Sequence, residues 1–156
     1  MGALTEHLER KLVFGGVSAA DRDDVIRAVV DCVVEAGGLD RKKGSFVLRF
    51  VKERERFGTT GIGRGIALPH CKTSVVDRPL VAFARLASAV DYGSTDGEPV
   101  HSVFLIASPP ESAEVHVAIL RTVAKLARDD YYARILRNTT DPGSLFELFR
   151  EADGKA

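Results

Sequence analysis

Hydrophobic positions change their period along the chain, and the change predicts where helices give way to strands. Val25, Ile26, Val29, Val30, Val33 and Val34 recur at helical spacing until Gly37 and Gly38 stop the pattern, which predicts an amphipathic helix over 20–36. Ser18 followed three residues later by Asp21 resembles a capping box at its start, with Asp in place of the usual Glu or Gln. A second helix is predicted over 44–56, burying Phe46, Val47, Phe50 and Val51 and exposing Lys52, Glu53 and Glu55. From Ile66 the runs shorten and become nearly continuous, as strands do: I-A-L-P over 66–69, L-V-A-F-A-R-L over 80–86 and V-H-S-V-F-L-I-A-S over 100–108, with an earlier strand over 11–15. The run over 80–86 has the unbroken hydrophobicity of a central strand covered on both faces. Residues 92–99 read as a loop. Beyond Pro109 and Pro110, Ser112 is placed to cap a helix over 113–128, and shorter helices are predicted over 131–137 and 144–151.

These elements imply an α/β protein, a mixed sheet flanked by helices. The 156 residues suit a single compact domain spanning 1–156, with no internal repeat or linker to divide them. Composition adds mainly exclusions. Lys plus Arg and Asp plus Glu are 22 each, so no electrostatic footprint marks a nucleic acid or an anionic membrane as partner. Charges in the first ten residues argue against a signal peptide, and no run approaches the roughly 18 to 20 apolar residues of a spanning helix, so a cytoplasmic location is expected. Cys32 falls within a helical pattern and Cys71 follows a histidine, which disfavours a structural disulfide. No C-x-x-C or H-x-x-H spacing occurs, and neither metal nor cofactor is expected.

The chemistry concentrates in G-T-T-G-I-G-R-G-I-A-L-P-H, from Gly58 to His70. Gly61, Gly63 and Gly65 permit positive φ, and Pro69 holds the residue before it extended, so His70 is presented at the end of a strand-like segment. The glycines first suggest a phosphate-binding nucleotide loop. Here, however, a predicted helix precedes them and a strand follows, the reverse of a dinucleotide fingerprint, and no Walker lysine-serine pair is present. His70 has two readings. It is either a structural histidine or a neutral imidazole, of ordinary pKa about 6.5, able to accept a phosphoryl group covalently. Donors must then meet the added charge. Arg54 is one candidate, or else a solvated charge within K-E-R-E-R. His116 is the other, lying with Ile119, Leu120 and Val123 on the apolar face of its helix, or else a core histidine. His7 and His101 lack such surroundings and read as surface or structural residues.

The string R-E-R-F-G-T-T-G-I-G-R-G-I-A-L-P-H-C-K, Arg54 to Lys72, resembles the signature of the type-2 enzyme IIA domains of the bacterial phosphoenolpyruvate-dependent sugar phosphotransferase system: the fructose, mannitol and nitrogen-regulatory IIA proteins. The resemblance continues through V-D-Y-G-S-T-D-G-E-P-V, the strand ending in Ala107, Ser108 and Pro109, and the helix E-V-H-V-A-I-L-R-T-V-A-K-L-A. It implies that His70 accepts a phosphoryl group from the histidine-containing phosphocarrier protein and passes it to a IIB domain, with His116 supporting the acceptor and Arg54 stabilising the phosphate. It implies equally well a stand-alone regulator that controls a target protein through its phosphorylation state without sugar transport. Cys71 departs from the glycine usual after the histidine. Ile62, Ile66 and Leu68 are expected to form an apolar rim where a partner docks.

Overall fold

The computed structural model describes residues 3–154. Its sheet follows from strands whose two faces carry side chains of different size. In β5 (Leu80–Val90), Val81 and Phe83 point to one side and Ala82 and Ala84 to the other. In β6 (Val100–Ser108), Phe104 and Ile106 likewise alternate with Val103 and Leu105. β6 is buried at all nine positions. It pairs antiparallel with β5, which in turn pairs parallel with β1 (Leu8–Val17). On the other side of β6 lie three short segments. β3 (Ile66–Ala67) and β4 (His70–Lys72) both run parallel to β6, and β2 (Gly61–Gly63) pairs antiparallel with β3. The path is β1-β5-β6-β3-β2, with β4 extending the β6 edge, a mixed sheet as expected.

Each face is covered by helices. The small-residue face receives α2 (Arg22–Glu35) and α3 (Arg41–Glu55), which bury Val25, Val29, Val33, Val47 and Val51 against Ala82, Ala84 and Val103. The large-residue face receives α1 (Ala3–His7), α4 (Ala113–Arg128), α5 (Asp130–Asn138) and α6 (Pro142–Gly154). There Phe83, Phe104 and Phe149 form a triangle with ring centroids 4.9–5.2 Å apart, in the edge-to-face and tilted arrangements that aromatic quadrupoles favour.

Several local expectations are corrected. The cap of α2 is Asp21 rather than Ser18: Asp21 accepts from the Asp24 amide at 2.9 Å, and Asp24 accepts at 2.8 Å from the amide of Ala20, the residue before the cap, so the return bond lands one residue away from the amide a capping box would use. The Asp40 side chain starts α3 three residues early by accepting from the Lys43 amide at 2.8 Å. Gly44 thus lies inside the helix, where a Cβ would approach Val34 to 2.6 Å, so the glycine permits close α2–α3 packing. That phase turns Gly44, Val47, Val51 and Glu55 inward and leaves Phe46 and Phe50 only partly covered, so the predicted burial of both phenylalanines, and the exposure of Glu55, do not hold. Ser112 makes no capping bond. It ends a single 3-10 turn, Pro110–Ser112, that leads directly into α4. Among the described residues no helix is long and apolar enough to cross a membrane. Cys32 and Cys71 are free thiols.

Candidate functional site

The glycine segment folds as a tight hairpin. β2 and β3 are joined by Arg64 and Gly65, both with positive φ (58° and 81°), as the turns that match strand twist require. Gly61, which permits positive φ, does not adopt it. The glycine is required there because a Cβ would meet Ser94, including its Cα at 3.0 Å. Arg64 bears a conformation that L side chains disfavour, and three contacts hold it. Its amide donates to Asp96 at 2.9 Å, one guanidinium nitrogen donates to the Arg128 carbonyl at the end of α4 at 3.0 Å, and the other pairs with Asp130.

From this hairpin Leu68 and Pro69 lead into β4, so His70 begins a strand rather than ending one. The pairing of β4 with β6 places His70 opposite Ile106 and Lys72 opposite Ser108. The His70 ring is partly exposed, and its Nδ1 lies 2.8 Å from the Leu68 carbonyl. A carbonyl only accepts, so Nδ1 carries the proton and Nε2 keeps a free lone pair. His116 comes from the first turns of α4. It is buried, its Nδ1 is 2.8 Å from Ser108 Oγ, and its ring centroid is 5.5 Å from that of His70. Arg54 sits in the last turn of α3, partly covered, with Nη1 donating to the Gly58 carbonyl at 3.0 Å.

Electrostatics keep both imidazoles neutral. Burial is the main cause of the lowered pKa of His70; the charges of Arg54 and Lys72 act the same way, while the Leu68 bond and the charge of Glu55 oppose them. His116 is pushed down to about 4, first by burial, then by His70 and Lys72. Two neutral rings flanked by two cations can take a dianionic group without first shedding protons.

Three contributors were not anticipated. Lys72 stands two residues beyond His70 on the same strand face, and that spacing alone would have flagged it. Ser108 anchors His116. Glu55 is buried beneath the loop, its carboxylate accepting from the Thr60 amide (2.6 Å), the Thr60 hydroxyl (2.6 Å) and the Tyr92 hydroxyl (3.0 Å). Of the expected apolar rim only Ile62 is exposed. Ile66 and Leu68 are instead buried, both in the core on the large-residue face with Phe104 and Ile106. His101, with no site role expected, is buried against Gly65, and Cys71 is buried with its thiol pushed up to about 12, hence protonated and unreactive at neutral pH.

Known proteins are similar to this chain in sequence and in fold. The fructose-specific EIIABC component of Bacillus subtilis is 29% identical over 150 residues, covering 96% of this chain; the chain spans only 23% of that relative's length. A nitrogen regulatory protein of Bradyrhizobium diazoefficiens is 32% identical over 122 residues, 78% of this chain and 80% of its own. The fold matches that of enzyme IIA-mannitol of Escherichia coli, solved in complex with phosphorylated enzyme IIB-mannitol, with a TM-score of 0.73 and 20% identity over 92% of this chain and 99% of that one. Residues 6–152 match the family model for the phosphoenolpyruvate-dependent sugar phosphotransferase system, EIIA 2, and the chain belongs to that family.

Proposed function

We propose that the protein is a cytoplasmic phosphocarrier whose His70 accepts a phosphoryl group from the histidine-containing phosphocarrier protein and passes it to a IIB domain. The observation that supports this most directly is the 2.8 Å contact of His70 Nδ1 with the Leu68 carbonyl: with Nδ1–H committed there, the lone pair on Nε2 is available beside His116. In the transfer, Nε2 forms a bond to phosphorus as the donor's P–N bond breaks, the electron pair of the broken bond returning to the donor imidazole. The phosphoryl group keeps its charge throughout, so the site's work is placement and charge compensation.

Arg54 supplies a guanidinium from α3 and Lys72 an ammonium from β4. Where Ser108 Oγ–H donates to His116 Nδ1, His116 carries its own proton on Nε2 and offers it to a phosphoryl oxygen. Neither metal nor nucleotide enters this scheme, because the donor is itself a phosphohistidine. Partner approach is supported by exposed apolar side chains next to site residues: Phe57, 89% exposed and three residues after Arg54; Val117, beside His116; and Ile62, on the strand that packs against α4. The likeness to a nitrogen regulatory protein supports a second reading, in which the phosphorylated state itself is the signal to a target protein.

Incubation with labelled phosphoenolpyruvate, the two general phosphotransferase proteins and a IIB domain tests both. Acid-labile, alkali-stable label on the wild type but not on His70→Ala is expected, and its absence from the wild type alongside a labelled control IIA overturns the carrier reading. Label that enters and leaves for no IIB favours the regulator.

A further inference from the structure

The catalytic scheme leaves the Glu55 carboxylate without a part, although it is 4% exposed and lies among charged site residues. Burying a carboxylate is costly, and hydrogen bonds must offset it. Three do so here, and all converge from elements that frame His70: the Thr60 amide and hydroxyl from the loop entering the hairpin, and the Tyr92 hydroxyl from the loop after β5. Thr60 and Tyr92 are themselves buried, and their hydroxyls lie 3.1 Å apart, which closes the cluster.

The cluster does not end at Thr60. Its carbonyl accepts from the Leu68 amide at 2.9 Å, and the Leu68 carbonyl is the group that holds His70 Nδ1 at 2.8 Å. A series of contacts thus runs from the carboxylate through the backbones of Thr60 and Leu68 to the imidazole. The amide and carbonyl of Thr60 flank one Cα, as do those of Leu68, so the series acts through position: fixing the Thr60 backbone fixes where the Leu68 carbonyl points. Glu55 also follows Arg54 directly on α3, and burying the one fixes the helix phase that sets where the other projects.

We propose that Glu55 is a positioning residue for phosphoryl acceptance: by fixing the backbone positions of Thr60 and Leu68 its carboxylate holds the His70 ring in the orientation and tautomer that leave Nε2 free. The proposal rests on the reading of His70 as acceptor for its functional consequence, but the tautomer can be measured without any phosphotransfer.

The test records the ring nitrogens of His70 by nitrogen-15 NMR at neutral pH in the wild type, Glu55→Gln, Glu55→Asp and Glu55→Ala, with thermal melts alongside. The wild type should show the Nδ1–H form. Glu55→Gln, which keeps an acceptor for the Thr60 amide and offers an N–H that the Tyr92 or Thr60 oxygen can accept, should retain it. Glu55→Ala should shift the population toward the Nε2–H form and slow phosphoryl acceptance by about five- to tenfold, the worth of one peptide hydrogen bond, with recovery in Glu55→Gln. Phosphorus-31 NMR of the phosphorylated variants should then show product at Nδ1 as well as Nε2. If Glu55→Ala does not fold, Glu55→Asp, whose shorter carboxylate draws back from Thr60, should give the same shift in smaller measure. An Nε2–H tautomer in the wild type, or a wild-type tautomer in a folded Glu55→Ala or Glu55→Asp, overturns the proposal. Failure of the wild type to accept label overturns the acceptor reading instead, while the tautomer measurement still decides the role of Glu55.

Discussion

At the scale of single residues, Arg54 can be separated from the fold. Its guanidinium bonds to the Gly58 carbonyl, four positions away near the surface, and its charge disfavours protonation of His70. Charge-assisted bonds to a phosphoryl group are worth about 1.5 to 3 kcal/mol, so Arg54→Ala should slow acceptance by about 10- to 100-fold with little change in melting temperature. The titration midpoint of His70, held below the ordinary histidine value chiefly by burial, should rise in the same variant because an opposing positive charge is gone. An unchanged rate would remove Arg54 from the site, and a falling midpoint would contradict the electrostatic account.

The element that matters most is the hairpin from Gly61 to Ala67, because it sets where Leu68 and His70 lie. Its turn is tightly constrained: Gly65 has φ of 81°, its carbonyl accepts from the amides of His101 (2.9 Å) and Ser102 (3.0 Å), and a Cβ there would collide with the His101 ring. Gly65→Ala should therefore destabilise the protein by more than the roughly 1–2 kcal/mol of a left-handed alanine, lowering the melting temperature by about 4 °C or more. A melting curve superimposed on the wild type would show that the turn relaxes freely. The same hairpin shows what the sequence disclosed. His70 and His116 could be picked out as candidates because a histidine is unusual in each local pattern, Arg54 only by its place before the glycine turn and by the family resemblance, and β5 and β6 because unbroken apolar runs have few alternatives. Glu55 was not legible: its helix could be phased from Phe46 and Phe50 or from Val47 and Val51, and only the Asp40 cap and the Val34–Gly44 contact decide. Tyr92 and Ser108 acquire partners 37 and 8 residues away in sequence, a matter of tertiary register that no local pattern encodes.

Across the whole molecule, the neutral histidines couple the folded state to pH. His116 and His101 are both pushed down to about 4, each chiefly by burial, with His70 and Lys72 adding to the effect at the first and Arg85 and Arg137 at the second. In the unfolded chain both return to about 6.5. Between those values the unfolded chain takes up protons that the folded chain refuses, so stability is fully present above pH about 6.5 and drains away as pH falls toward about 4. Each histidine contributes at most on the order of 3 kcal/mol over that window. Asp24, which is half-buried, and the exposed Asp96 and Asp141 are held below the ordinary carboxylate value by their hydrogen bonds, so their losses begin lower and do not confuse the reading. Urea midpoints should therefore fall steadily from pH about 7 to about 4.5. In His116→Gln, which cannot titrate, the decline should be shallower, leaving the share due to His101 and His70. A midpoint independent of pH in the wild type, or an equally steep decline in His116→Gln, would mean that His116 is protonated within the fold. The second imidazole would then meet an incoming phosphoryl group as a cation rather than as a neutral donor.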